Sequence, residues 1–212
     1  MQLCCWFQAR SENGLALGRE SFVLAFVVKT GLSQGMDILQ RIVRDKATEV
    51  SLRKERLPRP VLDELLHGVA PARDFVTALS IEGRNIIAEV KRASPSKGIL
   101  KGQGDNQGWQ PTRLAQAYQA GGARAVSVLT DTPYFWGSMD DFAACRQVLE
   151  LPMLRKDFII EPYQVDESRW LGADAVLLMA SVLSEEAMGR CLEQVYRRNM
   201  GALLEVHSAE EL

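Results

Sequence analysis

The sequence predicts an α/β fold built on a parallel sheet, and three observations carry that expectation. Five short apolar runs, at residues 85–90, 125–129, 152–154, 173–179 and 202–206, have strand character. Segments with helical spacing lie between them, at 112–120, 139–149, 163–171 and 184–198. The two kinds alternate along the chain in the order that βαβ units require. Five such units fit two architectures, a doubly wound open sheet of flavodoxin type or a (β/α)8 barrel cut short. Both place their sites at the carboxyl ends of the strands.

The elements follow from local chemistry. Residues 1–35 mix Cys-Cys-Trp, Gly-rich polar stretches and one apolar run without a sustained period, and are expected to be a poorly ordered leader. From Met36 the text changes, so residues 36–212 form the expected domain. Ile38, Leu39, Ile42, Val43 and Val50 recur at near-helical spacing, with Arg41, Arg44, Lys46 and Glu49 between them. Asp37 is suited to cap this first helix, and Pro58 and Pro60 to end it. Further on, Pro111 suits a helix start and Gly121-Gly122 its end, while Gly172 and Gly201 follow the later helical stretches.

Composition removes several function classes. The 212 residues are 47% hydrophobic and 25% charged, which is globular rather than disordered. A formal charge of −2 and a pI near 5.8 give no footprint for nucleic acid or an anionic membrane surface. The four cysteines (Cys4, Cys5, Cys145, Cys191) form no C-x-x-C pair, and His67 and His207 are the sole histidines. A structural zinc site, a disulfide framework and a Ser-His-Asp triad therefore have little support, and a reducing, cytoplasmic setting is expected. The apolar run at 22–28 is far shorter than the ~20 residues of a membrane span, and no basic region opens the chain as in a signal peptide.

The informative residues stand where apolar runs give way to polar ones. The first run ends in IAEVKRASPSKG, in which Glu89 and Lys91 are two apart and share one face of a strand. Such a pair reads either as a structural ion pair or as part of a site. The Ser-Pro-Ser-Lys-Gly that follows can offer hydroxyls and an ammonium to an anion. In the third run, LPMLRKDF, Lys156 sits at a strand end among apolar neighbours, where partial burial would suit a lysine to proton transfer. In the fifth, ALLEVH, Glu205 interrupts a stretch that a parallel sheet would bury. Glu89, Lys91, Lys156 and Glu205 gathered at one mouth would suit general acid/base chemistry on an anionic substrate. Pro95, Phe135, Phe158, Leu177 and Met179 are candidates for a flat apolar wall beside them, while Leu177 and Met179 read also as plain core.

These segments are recognisable together. EVKRASPSKG, GGARAVSVLTD, YFWGSMDD, LRKDFII followed by Tyr163-Gln164, GADAVLLM and LEVH occur in the order found in indole-3-glycerol-phosphate synthase, and the chain resembles that family from Met36 to Leu212. The resemblance implies a (β/α)8 barrel with an extra N-terminal helix. It implies ring closure of 1-(2-carboxyphenylamino)-1-deoxyribulose 5-phosphate with loss of carbon dioxide and water, a step of tryptophan biosynthesis catalysed by a carboxy-lyase. It also implies no cofactor and no metal. By the same resemblance, Lys156 is the general acid at the substrate's keto oxygen and Glu205 assists the proton transfers of dehydration. Lys91 contacts the anionic groups, Glu89 orients it, and Ser94 is a contact in the first loop. Pro95, Phe135, Phe158, Leu177 and Met179 correspond to positions around the substrate's aromatic ring.

The sequence departs from the family pattern in three places. No counterpart is expected for residues 1–35, and the stretch KGQGDNQGWQ lengthens the loop after the first strand. The chain also stops at Leu212, after the fifth strand, where the family continues with three more strands and the phosphate-binding loops. The expectation is therefore a partial barrel with little activity by itself. The alternatives are a non-catalytic interaction protein whose open edge after the fifth strand takes up a second copy or a complementing chain, and an unrelated flavodoxin-like domain.

Overall fold

In a computed structural model the chain is described at residues 7–9, 23–27, 35–95, 98–100 and 108–207. Its frame is a run of five parallel strands: β3 (Ile87–Val90), β6 (Ala125–Leu129), β7 (Met153–Lys156), β8 (Ala175–Met179) and β9 (Gly201–Val206). They pair in chain order, each with the next. A doubly wound sheet reverses its strand order at a switch point, and this one does not, so the flavodoxin alternative is excluded. Stepwise parallel winding is the barrel pattern, here an open sheet. Helices α4 (Pro111–Ala120), α6 (Met139–Val148), α7 (Pro162–Trp170) and α8 (Glu185–Arg197) make the crossovers. No helix among the described residues is long and apolar enough to cross a membrane.

The helix ends obey simple rules. Pro occupies the first turn of α4 and of α7, where its missing N–H removes no helical bond. Ser138 and Ser184 cap α6 and α8, accepting hydrogen bonds from the amides of Asp141 (2.9 Å) and Ala187 (3.3 Å). The long first helix, α1 (Gly35–Arg56), includes Asp37 near its start, and the capping expected of the Asp37 side chain lies outside the described residues. After α1, Pro58 precedes α2 (Arg59–Leu66), and α3 (Phe75–Leu79) follows with Asp74 as its cap. The sequence pattern did not distinguish either of these short helices.

Alternation along the strands sorts side chains into two cores. Ala125, Leu154, Ala175, Leu177 and Leu203 face the concave side with Phe75, Val76 and Leu79, so α3 plugs one end of the incomplete barrel. Val90, Val126, Val128 and Met153 face out against α4 and α6, and Val176, Leu178 and Ala202 against α8. A third layer, Val50, Leu62, Leu66 and Tyr163, packs α1 and α2 onto α7, which is why most of α7 is buried despite its polar sequence.

Two stretches of the segment expected to be a poorly ordered leader form strands. β2 (Val23–Val27) adds to the edge of β9 in parallel, with Phe26 opposite Glu205, and β1 (Phe7–Ala9) pairs antiparallel with β2. VLAFV is an apolar run of strand length, and an unpaired edge of β9 is a template for it. A two-residue ribbon, β4 (Ala93–Ser94) with β5 (Gly98–Ile99), and the single-turn α5 (Thr132–Phe135) complete the described elements. Residues 101–107 of the lengthened loop lie outside the described residues.

Candidate active site

The same two-residue period that builds the core sets the site. Glu89 of β3, Lys156 of β7 and Glu205 of β9 share inward parity with the concave core residues, and each stands near the carboxyl end of its strand. Lys91 follows β3 with the parity of Glu89. These four surround a cavity of about 190 Å³ whose wall is completed by Leu129, Phe135, Asp157, Phe158, Leu177 and Met179. The rings of Phe135 and Phe158 meet at 6.0 Å between centroids, tilted by 41°.

The charges in the cavity divide into an ion-paired cluster and a carboxyl set apart from it. Glu89 takes Lys91 on Oε1 and Lys156 on Oε2. Burial alone would raise the Glu89 carboxyl, but the two ammoniums outweigh it and hold the group below the ordinary carboxylate range. Glu205 goes the other way. Its burial pushes the carboxyl up, and Lys156 and His207 only partly offset that, while the nearby charge of Glu89 adds to the rise. His207 Nε2 lies 3.7 Å from Glu205 Oε1. Two of the three carboxyl groups that line the cavity, Glu89 and Glu205, thus have their affinities for a proton driven apart, the pattern that separates an electrostatic partner from a proton carrier.

Two further residues of the wall are not evident from sequence. Leu129 ends β6 with inward parity, which the alternation of that strand could have revealed. Asp157 follows Lys156 and looks like a solvated loop acid. Instead it is buried, with Oδ2 accepting from Thr130 Oγ1 (2.7 Å) and from Arg155 (2.8 Å) and Oδ1 accepting from the amide of Phe158 (2.8 Å). Ser94 and Pro95 stand outside the cavity lining. Ser94 is paired in β4 opposite Gly98, and Pro95 is exposed at the turn that follows. At the rim the guanidinium of Arg92 lies 5.9 Å from the Trp109 ring and 5.5 Å from the Trp136 ring, joining the loop after β3 to the loop after β6. Among the described residues no group of three or more His, Cys, Asp or Glu is arranged to hold a metal ion.

An apolar cavity with an aromatic wall, two ammoniums and one raised carboxyl can bind a flat anionic molecule, donate a proton and exchange another. Comparison with known proteins agrees in kind. The family described as Indole-3-glycerol phosphate synthase matches residues 39–212. An indole-3-glycerol phosphate synthase of Syntrophobacter fumaroxidans is 44% identical over 179 residues, 83% of this chain and 66% of that protein. That of Microcystis aeruginosa is 42% identical over 191 residues, 89% of this chain and 62% of its own length. That of Bacteroides thetaiotaomicron is 42% identical over 176 residues, again 83% and 66%. The chain spans 62–66% of the length of these relatives.

Proposed function

The chain belongs to the indole-3-glycerol phosphate synthase family, and on that premise we propose that its cavity serves the ring closure of 1-(2-carboxyphenylamino)-1-deoxyribulose 5-phosphate. The supporting observation is the placement of Lys156 on Glu89 inside an aromatic-walled cavity, with the raised carboxyl of Glu205 across it.

The chemistry follows from those groups. The substrate's aromatic ring lies against Phe135, Phe158, Leu177 and Met179. The ring carbon that bears the carboxylate forms a bond to the keto carbon, whose oxygen takes a proton from the Lys156 ammonium. The carboxylate departs as carbon dioxide, and its electron pair restores the aromatic ring. The new hydroxyl then leaves as water while a proton is lost from the adjacent carbon, and Glu205 is suited to exchange protons in this step. Lys91 offsets the negative charge of the substrate, and Glu89 holds both ammoniums in place through its two oxygens. Ser94 and Pro95 would enter only through movement of their turn. A reducing, cytoplasmic setting is part of the same proposal, consistent with Cys145 and Cys191 as buried free thiols.

Indole fluorescence after addition of this substrate tests the reading on the 212-residue chain. Slow product formation by the parent, abolished in Lys156→Ala, supports it, and equal rates in both would remove Lys156 from its role. A second reading, an interaction protein completed by another chain or by a second copy, draws on the open sheet, in which β3 has β6 as its one strand neighbour among the described residues. Under that reading the parent forms no product, and its apparent size in size-exclusion chromatography rises with concentration.

A further inference from the structure

Lys46 lies outside the cavity and has no part in the chemistry above, yet it is among the largest fully buried side chains, 2% exposed. An ammonium on a helix that reads as amphipathic should be solvated. Here α1 carries it beneath the mouth of the sheet. Its Nζ stands 2.9 Å from Asp131 Oδ1, 2.9 Å from Asp157 Oδ1 and 2.7 Å from Glu49 Oε2. Asp131 and Asp157 belong to two different strand-end loops, and Lys46 joins them.

Each loop carries a wall of the site. Asp131 caps α5, its Oδ2 accepting from the amide of Tyr134 at 3.0 Å, and Phe135 ends that single turn. Asp157 stands between Lys156 and Phe158, and the same Oδ1 that meets Lys46 accepts from the amide of Phe158. The two phenylalanine rings meet in the cavity. Two buried carboxylates alone would repel; the ammonium between them replaces that repulsion with two attractions that tie the loops together, and the tie is lost when Lys46 and Asp131 are both neutral. We propose that Lys46 is a positioning residue that sets the spacing of the Phe135 and Phe158 walls, so that the N-terminal helix determines how tightly the site holds an aromatic ring.

The placement in the fold stands by itself, while its meaning for turnover rests on the ring-closure reading. Lys46→Met alone strands two buried carboxylates and risks unfolding, so the informative variant is Lys46→Met with Asp131→Asn. It removes one charge of each sign, leaves Asp157 with Arg155, and keeps a residue able to cap α5. Two readouts apply to the full chain: nuclear Overhauser effects between the Phe135 and Phe158 rings, and KM for the ring-closure substrate. The expected result is a folded double variant in which the inter-ring effects disappear and KM rises about tenfold. A smaller folded fraction would lower kcat and leave KM unchanged, so a KM effect separates positioning from mere stability. Inter-ring effects as strong as in the parent, or rings that separate while KM stays the same, overturn the proposal. If the parent chain forms no product while the rings of the double variant separate, Lys46 keeps its positioning role and the ring-closure reading fails.

Discussion

Glu89 and Glu205 are the same residue type on different walls of one cavity, and their surroundings drive their proton affinities in opposite directions. Glu89 meets two ammoniums and stays ionised, whereas Glu205 is buried with weaker compensation and holds a proton more readily. Glu205→Gln should lower kcat by about 10²–10⁴. It should also remove the acidic limb of the pH–rate profile, which in the parent lies above the ordinary carboxylate range. A rate profile of the variant from pH ~4 to ~9 checks this, and an unchanged acidic limb would assign it to another group. Gly137 marks a second residue-scale constraint. A Cβ there would stand 2.2 Å from the carbonyl oxygen of Leu129, backbone against backbone, in the loop that carries Phe135. Gly137→Ala should cost about 1–3 kcal/mol, read as a lower unfolding midpoint in urea.

At the scale of the element, α1 and β7 form one electrostatic unit. Arg155, fully buried on the outer face of β7, binds Asp157, Glu167, Thr130 and Ser168, and Arg53 of α1 meets Glu167 at 3.2 Å. Burial would raise the Asp157 carboxyl, but Arg155 and Lys46 hold it well below the ordinary range. A depressed carboxylate adds stability that is fully present above its unfolded value of about 3.9 and is lost as pH falls toward the lower folded value. Asp157→Asn should cost about 3–5 kcal/mol at neutral pH, because it leaves buried cations short of a partner. The difference from the parent should shrink below pH ~4, and urea unfolding at pH ~7 and pH ~3 tests the sign. The run LPMLRKDF marks Lys156 as a strand-end lysine among apolar neighbours. It gave no indication that Arg155, facing out, would be buried, because only the packing of α1 and α2 over α7 closes that side to water.

Across the whole molecule, the strand order and the N-terminal pairing matter most. β2 covers the edge of β9, so deleting residues 1–34 should raise amide hydrogen exchange throughout Gly201–Val206 while leaving β6 and β7 protected. Unchanged exchange in β9 would show that the edge is shielded in some other way. Both described cysteines lie in helix–sheet cores, and burial pushes the Cys145 thiol up to about 12 and the Cys191 thiol up to about 11. Alkylation mapped by mass spectrometry should leave both unmodified in the native chain and label both in urea.

The alternation of apolar runs and helices, the proline and glycine punctuation, and the strand-end places of Glu89, Lys156 and Glu205 were all legible in the sequence. Each depends on contacts within a few residues, where chain geometry leaves few options. The order of residues also carried the family. Tertiary structure decided the rest. It buried Lys46 and Asp157, which local composition reads as solvated, by joining residues more than a hundred positions apart. It added Leu129 and Asp157 to the cavity wall and kept Ser94 and Pro95 out of it. It placed β2 on the edge of β9. The physical reason is common to these cases: the energy of a charge or a strand edge depends on what the rest of the chain brings against it.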